Sequence, residues 1–342
     1  MRHRARALLG SVVSVPGVVA AAPLQDALHA YGIQAAHIGR LWNFTLGLCT
    51  LVFGAIFVAF LWALWRAPRV RAEETPPDLK SLAHQERRLH RAVGWSTGVA
   101  TIGLLALLAA DVFTSRALAR LPLENAVNIE LIGHEWWWEA RYRHADPSRD
   151  FVTANELHIP VGRPVVVTLR SNDVIHTLWV PNLHGKRDMI PGRTSTLQLR
   201  ADHAGTYRGQ CAEFCGLEHA KMAMVVEAEP NAAYEAWAAR QGQDAAAPAT
   251  AQALRGREIF ETSNCASCHT IEGTAASGKA APDLTHLAGR TTLAAGILPN
   301  DGAHLAAWIS DPQSLKQGVY MPAAALKPDD LQALVTYLGT LK

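Results

Sequence analysis

Two short stretches concentrate the side chains that could do chemistry. The first, 209-GQCAEFCGLEHAKM-222, sets Cys211, Cys215, His219 and Met222 on one run with Cys-x3-Cys-x3-His-x2-Met spacing. His176 comes earlier, in 171-SNDVIHTLWVP-181, just after an expected strand. Thiolate, thioether and imidazole donors together favour copper. A mononuclear blue-copper centre takes two His, one Cys and a weak Met, and this set holds one cysteine more. Two thiolates can bridge two metals, leaving a histidine and one weak ligand to complete each copper. The other reading of the pair is a Cys211–Cys215 disulfide on an oxidising side of a membrane. It leaves the spacing of His219 and Met222 without a reason.

The second stretch, 264-NCASCHT-270, holds Cys265-x2-Cys268-His269, the attachment signature of c-type haem. Two thiols can add to the haem vinyl groups, and the adjacent His reaches the iron from one face. A redox Cys-x-x-Cys and half of a zinc site are the alternatives. No second Cys pair remains in this module to complete a Cys-rich zinc site. Met321, in 318-GVYMP-322, is the sixth-ligand candidate and the only methionine after Met224. His286 and His304 are the imidazole alternatives. Met/His ligation raises a haem potential, as electron transfer requires.

Such sites need scaffolds, and 342 residues allow two or three domains. A net charge of +2 gives no nucleic-acid footprint. Residues 1–22, with Arg2, Arg4 and Arg6 before an apolar stretch and small residues, read as a signal peptide cleaved near Ala20 to Ala22. Leu41 to Trp65 carries no charge, and neither does Ala92 to Ala110. Each is about long enough to span a bilayer, which needs roughly 20 residues. Helices are expected over about 41–65 and 92–113, as a hairpin within residues 23–115. The loop between them carries Arg66, Arg69, Arg71, Lys80, Arg87, Arg88 and Arg91, which places it in the cytoplasm and the rest of the chain outside.

Residues 116–230 change character. Alternating β-branched stretches such as 163-RPVVVTLRS-171 and 194-TSTLQLRA-201 are punctuated by Gly, Pro and Asn. They predict an all-β sandwich or Greek-key barrel. A short helix-like stretch with Tyr234 and Trp237 follows, and residues 231–253 as a whole read as a linker, low in large apolar residues from 241 onward. A small helical domain is expected over 254–342.

The copper run, with DVIHTLWVP and 133-GHEWWWEARY-142, resembles subunit II of the haem–copper cytochrome c oxidases over roughly residues 30–230. The resemblance implies a multidomain fold: a two-helix membrane hairpin, an all-β cupredoxin-like Greek-key domain and an all-α cytochrome c domain. It implies a binuclear CuA centre held by His176, Cys211, Cys215, His219 and Met222, with the Glu213 backbone carbonyl on one copper. The Glu213 carboxylate would help bind magnesium or manganese at the boundary with subunit I, a hard cation suited to oxygen. Trp136 would lie at the surface patch where electrons reach CuA, with Trp137 and Trp138 as packing aromatics. Residues 252–342 resemble a class I cytochrome c, with 281-APDLTHLAGR-290 and the helix around Trp308 on the haem-packing face.

The whole is similar to subunit II of a caa-type oxidase. That likeness implies oxidase subunits I and III as partners in a bacterial inner membrane. It also implies an external donor such as cytochrome c or a quinol–cytochrome c reductase. Covalent haem c would receive the electrons and CuA would pass them on. The uncharged membrane runs contain no histidine, with His90 only near one end of the second, so the oxygen-reducing haems must sit in a partner. One departure concerns protons: the family often has Glu-x-x-Trp-Thr and a proline at the second membrane helix, where this chain has Ala92 and Val99. Glu86 or His90 is the expected substitute. A quinol-oxidase subunit lacks the copper ligands, and nitrous oxide reductase carries a second copper cluster absent here. A membrane-anchored copper-delivery, assembly or electron-transfer protein outside an oxidase is the competing reading, and such a copper carrier has no need of a covalent haem.

Overall fold

The computed structural model describes residues 25–67 and 82–342. The expected signal peptide, most of the basic loop and the side chain of Glu86 lie outside the described residues. Helices α1 (Ile33–Arg66) and α2 (Leu82–Ala119) form the hairpin, and each runs beyond its uncharged stretch. No proline interrupts either, and both are long and apolar enough to cross a membrane. Leu51, Phe53, Trp95 and Phe113 are each 69–77% exposed to the outside of the protein. Large apolar side chains so displayed along two helices suit hydrocarbon rather than water.

The β domain follows as β1 (Val127–His134), β2 (Trp137–Arg143), β3 (Phe151–Ala154), β4 (Glu156–Pro160), β5 (Val165–Ser171), β6 (His176–Trp179), β7 (Arg187–Met189), β8 (Ser195–Leu199), β9 (Gly205–Cys211) and β10 (Ala223–Glu229). One sheet has the order β3-β2-β1-β5-β8 and the other β4-β10-β9-β6-β7. β1 runs parallel to β5 and β10 parallel to β4, and the remaining pairs are antiparallel. In β5 the residues Val165, Val167 and Leu169 are fully buried while their neighbours are not, the alternation of a strand with one face on a core. Facing layers of Leu131, Trp138, Leu169, Leu178 and Met224 fill the space between the sheets.

The chain before α1 is strapped onto this sandwich. Tyr31 N–H donates to Asn182 O at 2.8 Å, Ala35 N–H to Leu183 O at 3.1 Å, and Arg200 N–H to the Gln34 amide oxygen at 3.1 Å. A Cβ on Gly32 would meet Arg200 O at 2.4 Å, so only glycine allows this approach. The membrane helix therefore starts directly on the β domain.

Helix α3 (Asn231–Gln241) occupies the first half of the stretch expected as a linker. Its Tyr234, Trp237 and Ala238 join the sandwich core, and Trp237 stacks on His158 with centroids 4.2 Å apart. That apolar stripe folds against the domain instead of remaining a free tether. The C-terminal region comprises α4 (Ala251–Thr262), α5 (Cys265–Cys268), a hairpin of β11 (Thr292–Leu293) and β12 (Leu298–Pro299), α6 (Gly302–Ser310), α7 (Pro312–Leu315) and α8 (Pro328–Leu338). Thr250 caps α4 and Asp301 caps α6, each accepting an N–H from three residues on. A Cβ on Gly256 would lie 2.1 Å from Ala333 O, so α4 and α8 cross at backbone contact. Phe260, Leu305, Ile309, Leu334 and Tyr337 form the core beneath.

Candidate metal centre

The Cys211–Met222 loop connects β9 to β10. Cys211 N–H donates to Met222 O at 2.9 Å, and Ala212 N–H donates to Thr177 O at 3.0 Å. The loop thus closes on itself and is tied to β6. Pairing of Leu178 with Cys211 brings the start of β6, and with it His176, alongside the cysteine.

His176 Nδ1 lies 3.8 Å from Cys211 Sγ, and His219 Nδ1 lies 3.5 Å from Cys215 Sγ. Met222 Sδ is 3.8 Å from Cys215 Sγ, and the Glu213 carbonyl oxygen is 3.2 Å from Cys211 Sγ. Candidate donor atoms of His176, Cys211 and Cys215 all lie within 4.8 Å of one another, and the three residues are buried. Both thiols are free, without a disulfide. Soft sulfur and imidazole donors converge from both sides of a thiol pair, a set that fits copper. The Glu213 side chain points out to the surface beside exposed Phe214 and Leu217.

The electrostatics divide the protons unevenly across the cluster. The Cys215 thiol donates to Cys211, which pulls the Cys211 thiol far down against burial and holds the proton on Cys215. Burial would depress His176, but the Asp173 carboxylate and Cys211 outweigh it and lift the imidazole to about 9. Asp173 Oδ1 sits 2.7 Å from His176 Nε2, and Asp173 also accepts the N–H groups of Glu135 and Val174 at 2.6 and 2.7 Å. A carboxylate held this way fixes the ring and leaves Nδ1 for metal. Gly133 on β1 makes room behind that ring, since a Cβ there would lie 2.7 Å from His176 Cδ2.

Trp136 differs from expectation. It is 7% exposed, not a free surface residue. Its Nε1–H donates to Cys215 O at 2.7 Å. Gly216 of the copper loop packs against one part of the indole, and Gly318 of the C-terminal domain packs against another. The appended domain thus packs on the same ring as the copper loop. Trp138 is fully buried with Nε1–H on Ala223 O at 3.1 Å, and Trp137 stacks on His134 with centroids 4.3 Å apart.

In the C-terminal domain, Cys265 and Cys268 are free and half-buried. His269 Nδ1–H donates to Pro282 O at 2.7 Å, which leaves Nε2 for iron, and burial lowers its pKa toward the neutral form that binds metal. Met321 packs at the edge of the same core. His286 engages Lys342 O and Gln243 O at 2.8 and 3.1 Å through its two ring nitrogens, and His304 pairs with Asp301 at 2.7 Å. Arg290 Nε is buried without a hydrogen-bond partner among the described residues, a cationic donor suited to a haem carboxylate. These features fit a covalently attached haem. Trp308 is half-buried and Tyr337 belongs to the core.

Sequence reasoning missed Asp173, Gly133 and Arg290. Asp173, three residues before His176, carried a local signal as a carboxylate beside a candidate ligand; the other two did not.

Residues 144–229 match the family described as cytochrome c oxidase subunit II, periplasmic domain, and residues 253–342 match cytochrome c. The chain is 39% identical over 220 residues to cytochrome c oxidase subunit 2 of Alkalihalophilus pseudofirmus, covering 64% of this chain and 62% of the relative. It is 31% identical over 229 residues to the Bacillus subtilis protein of the same name, covering 64% and 63%. With that of Bacillus sp. strain PS3 it shares 30% identity over 266 residues, covering 72% and 73%. The chain thus spans a little under two thirds of the length of the first two relatives.

Proposed function

The chain belongs to the cytochrome c oxidase subunit 2 family, and from that premise we propose that it carries electrons from an external donor through haem c and CuA to an oxygen-reducing partner. The observation that carries this reading is the convergence of His176, Cys211, Cys215, His219, Met222 and the Glu213 carbonyl around two free thiols. When bound, the copper pair and the haem supply one-electron redox chemistry in which no covalent bond is broken.

The protein's own part is to hold ligands still. Loop closure by Cys211 N–H and Ala212 N–H, the Asp173 contact on His176 and the Trp136 contact on Cys215 O keep the donors in one arrangement. A fixed donor set suits rapid transfer, because little has to move between redox states. His269 Nδ1–H on Pro282 O orients that imidazole in the same way; His269 and Met321 would hold the haem iron, and Cys265 and Cys268 would attach the ring.

Two apolar helices support membrane anchoring, and the basic 66–91 loop supports a topology with both redox domains on the outer side of a bacterial inner membrane. Exposed Phe214, Leu217 and Glu213 on the copper loop face the proposed subunit I, where Glu213 would share magnesium or manganese. Subunit III completes the proposed complex, and the donor would be a cytochrome c or a quinol–cytochrome c reductase. Covalent fusion keeps the haem domain at an effective concentration of about millimolar or more at the copper domain. Hence no strong charge patch is needed to capture a soluble carrier there, in keeping with the net charge of +2.

Electron paramagnetic resonance with optical spectra on the purified oxidised complex tests the proposal. One unpaired electron shared by two copper nuclei, beside a low-spin haem c, is the expected result. A single-copper pattern, or a copper-free chain with a 211–215 disulfide, overturns it in favour of an assembly protein.

A further inference from the structure

The C-terminal domain does not merely hang from the β domain. It is docked through groups that the redox sites do not use. Lys316, at the end of α7, is 2% exposed, among the largest fully buried side chains of the protein. Its Nζ donates to Trp136 O at 2.7 Å, Lys221 O at 2.8 Å and Ala294 O at 3.2 Å. An ammonium has three donors, and here three carbonyls take them. Two of those carbonyls belong to the β domain. The exchange is reciprocal: Lys221 of the β domain sends its own Nζ to Leu315 O at 3.0 Å.

The β11–β12 hairpin makes the second half of this interface. Glu156 on β4 accepts both Thr291 N–H and Thr291 Oγ1–H, at 2.9 and 2.7 Å. Ala223 N–H donates to Ala295 O at 3.0 Å, and Arg208 Nη1 donates to Gly296 O at 3.0 Å. Ala294 and Ala295 hold φ of 53° and 62°. That region is strained for residues other than glycine. Such a turn persists where its surroundings over-determine it, and here these are the Ala223 contact and the Lys316 ammonium.

We infer that Lys316 is the positioning residue of a built-in docking clamp that seats the haem domain on the copper domain at Trp136. Burial pulls the Lys316 amine down to about 7, so its charged form depends on these three carbonyls, and a buried ammonium without partners is strongly unfavourable. Only one seating presents the Trp136 and Lys221 carbonyls to Lys316, so rotated or shifted arrangements leave it unsatisfied. The clamp lies five residues before Met321, and the intervening Gly318 rests on the Trp136 ring. Tyr320 O–H adds a contact to Glu135 at 3.2 Å. The seating therefore brings the haem-ligand loop against the indole whose Nε1–H holds Cys215 O. The inference rests on the proposed haem-to-copper route for its purpose, but not for its geometry.

Lys316→Met in the full-length chain within its complex tests it, with two readouts. The first needs no cofactor: amide hydrogen exchange at Ala223, whose N–H crosses the interface. Charge-assisted hydrogen bonds each contribute about a factor of ten or more, so exchange should accelerate by about tenfold or more. The second is electron transfer from flash-reduced haem to copper. It should slow and become dependent on solvent viscosity, with the separate haem and copper spectra unchanged. Thr291→Val, at the other end of the interface, should shift both readouts the same way by a smaller amount, and decides the matter if Lys316→Met fails to assemble. Unchanged exchange and unchanged viscosity dependence overturn the clamp. Missing copper or haem signals in the unsubstituted chain instead defeat the electron-carrier reading, and the exchange result still stands.

Discussion

Gly133→Ala probes the copper centre through a residue that ligates nothing. The added Cβ would stand 2.7 Å from His176 Cδ2, 3.0 Å from Cγ and 3.3 Å from Cβ. The shortest of these is 0.7 Å less than the 3.4 Å at which ordinary contact begins. β1 cannot retreat freely, because Gly133 pairs with Trp138 on one side and Ser171 on the other. The ring must give way, yet Asp173 holds its Nε2 at 2.7 Å. Functional groups tolerate about 0.5 Å of displacement before their geometry fails, and overpacking of this kind costs about 1–3 kcal/mol. At about 1.4 kcal/mol per factor of ten, copper affinity should fall by about tenfold to a hundredfold. Copper per chain after dialysis against a chelator measures this, with the haem spectrum as the control for folding. Full copper retention with an unchanged hyperfine pattern would refute the placement of His176 in the site.

Three further outcomes are expected. Cys211→Ser and Cys215→Ser should each abolish the binuclear copper signal while the haem spectrum survives; simultaneous loss of both centres would indicate misfolding. Met321→Leu should remove methionine ligation and lower the haem potential, read by redox titration, whereas His286→Gln should leave the potential unchanged, since both ring nitrogens of His286 meet backbone carbonyls. The buried His158 sits 3.2 Å from Glu156 and 3.1 Å from Glu229, against Trp237. Burial depresses its pKa, but the two carboxylates outweigh it and raise the imidazole above 6.5, while His158 and Thr291 hold Glu156 below 4.5 in spite of burial. The stabilisation from His158 is complete below about pH 6.5 and is lost as pH rises through its raised pKa; that from Glu156 is lost as pH falls through its lowered one. Thermal unfolding against pH should show a maximum between these limits, and His158→Gln should reduce the alkaline decline, leaving the part due to His176.

Legibility in the sequence followed the length scale of each interaction. Cys211, Cys215, His219 and Met222 lie on one loop, so their spacing alone exposes a donor set. Cys265, Cys268 and His269 are contiguous for the same reason. The membrane helices were legible because hydrocarbon selects composition, but their ends were not, since both helices continue past their uncharged runs. Helix α3 carries its apolar stripe over only 11 residues, and whether that stripe docks depends on His158 and Tyr142, far upstream. Nothing in the local sequence marks Lys316, whose role comes from partners contributed by distant segments, at separations up to the 180 residues between Lys316 and Trp136.

The burial of Trp136 ties these observations together. Soluble carriers are commonly selected by complementary charge. Here Gly318 and the Lys316 clamp cover the Trp136 indole from within the same chain. On the proposed electron route, an outside donor would deliver to the haem domain, because the appended domain occupies the Trp136 face. On the same proposal the haem motif and the copper loop would act in series, and the contact between their domains combines lysine Nζ groups on backbone carbonyls with the Glu156–Thr291 pair. Recognition by backbone carbonyls depends on the fold and much less on neighbouring side chains. Substitutions at exposed charges away from the Lys316, Lys221 and Glu156 contacts should thus leave the joint between the domains intact.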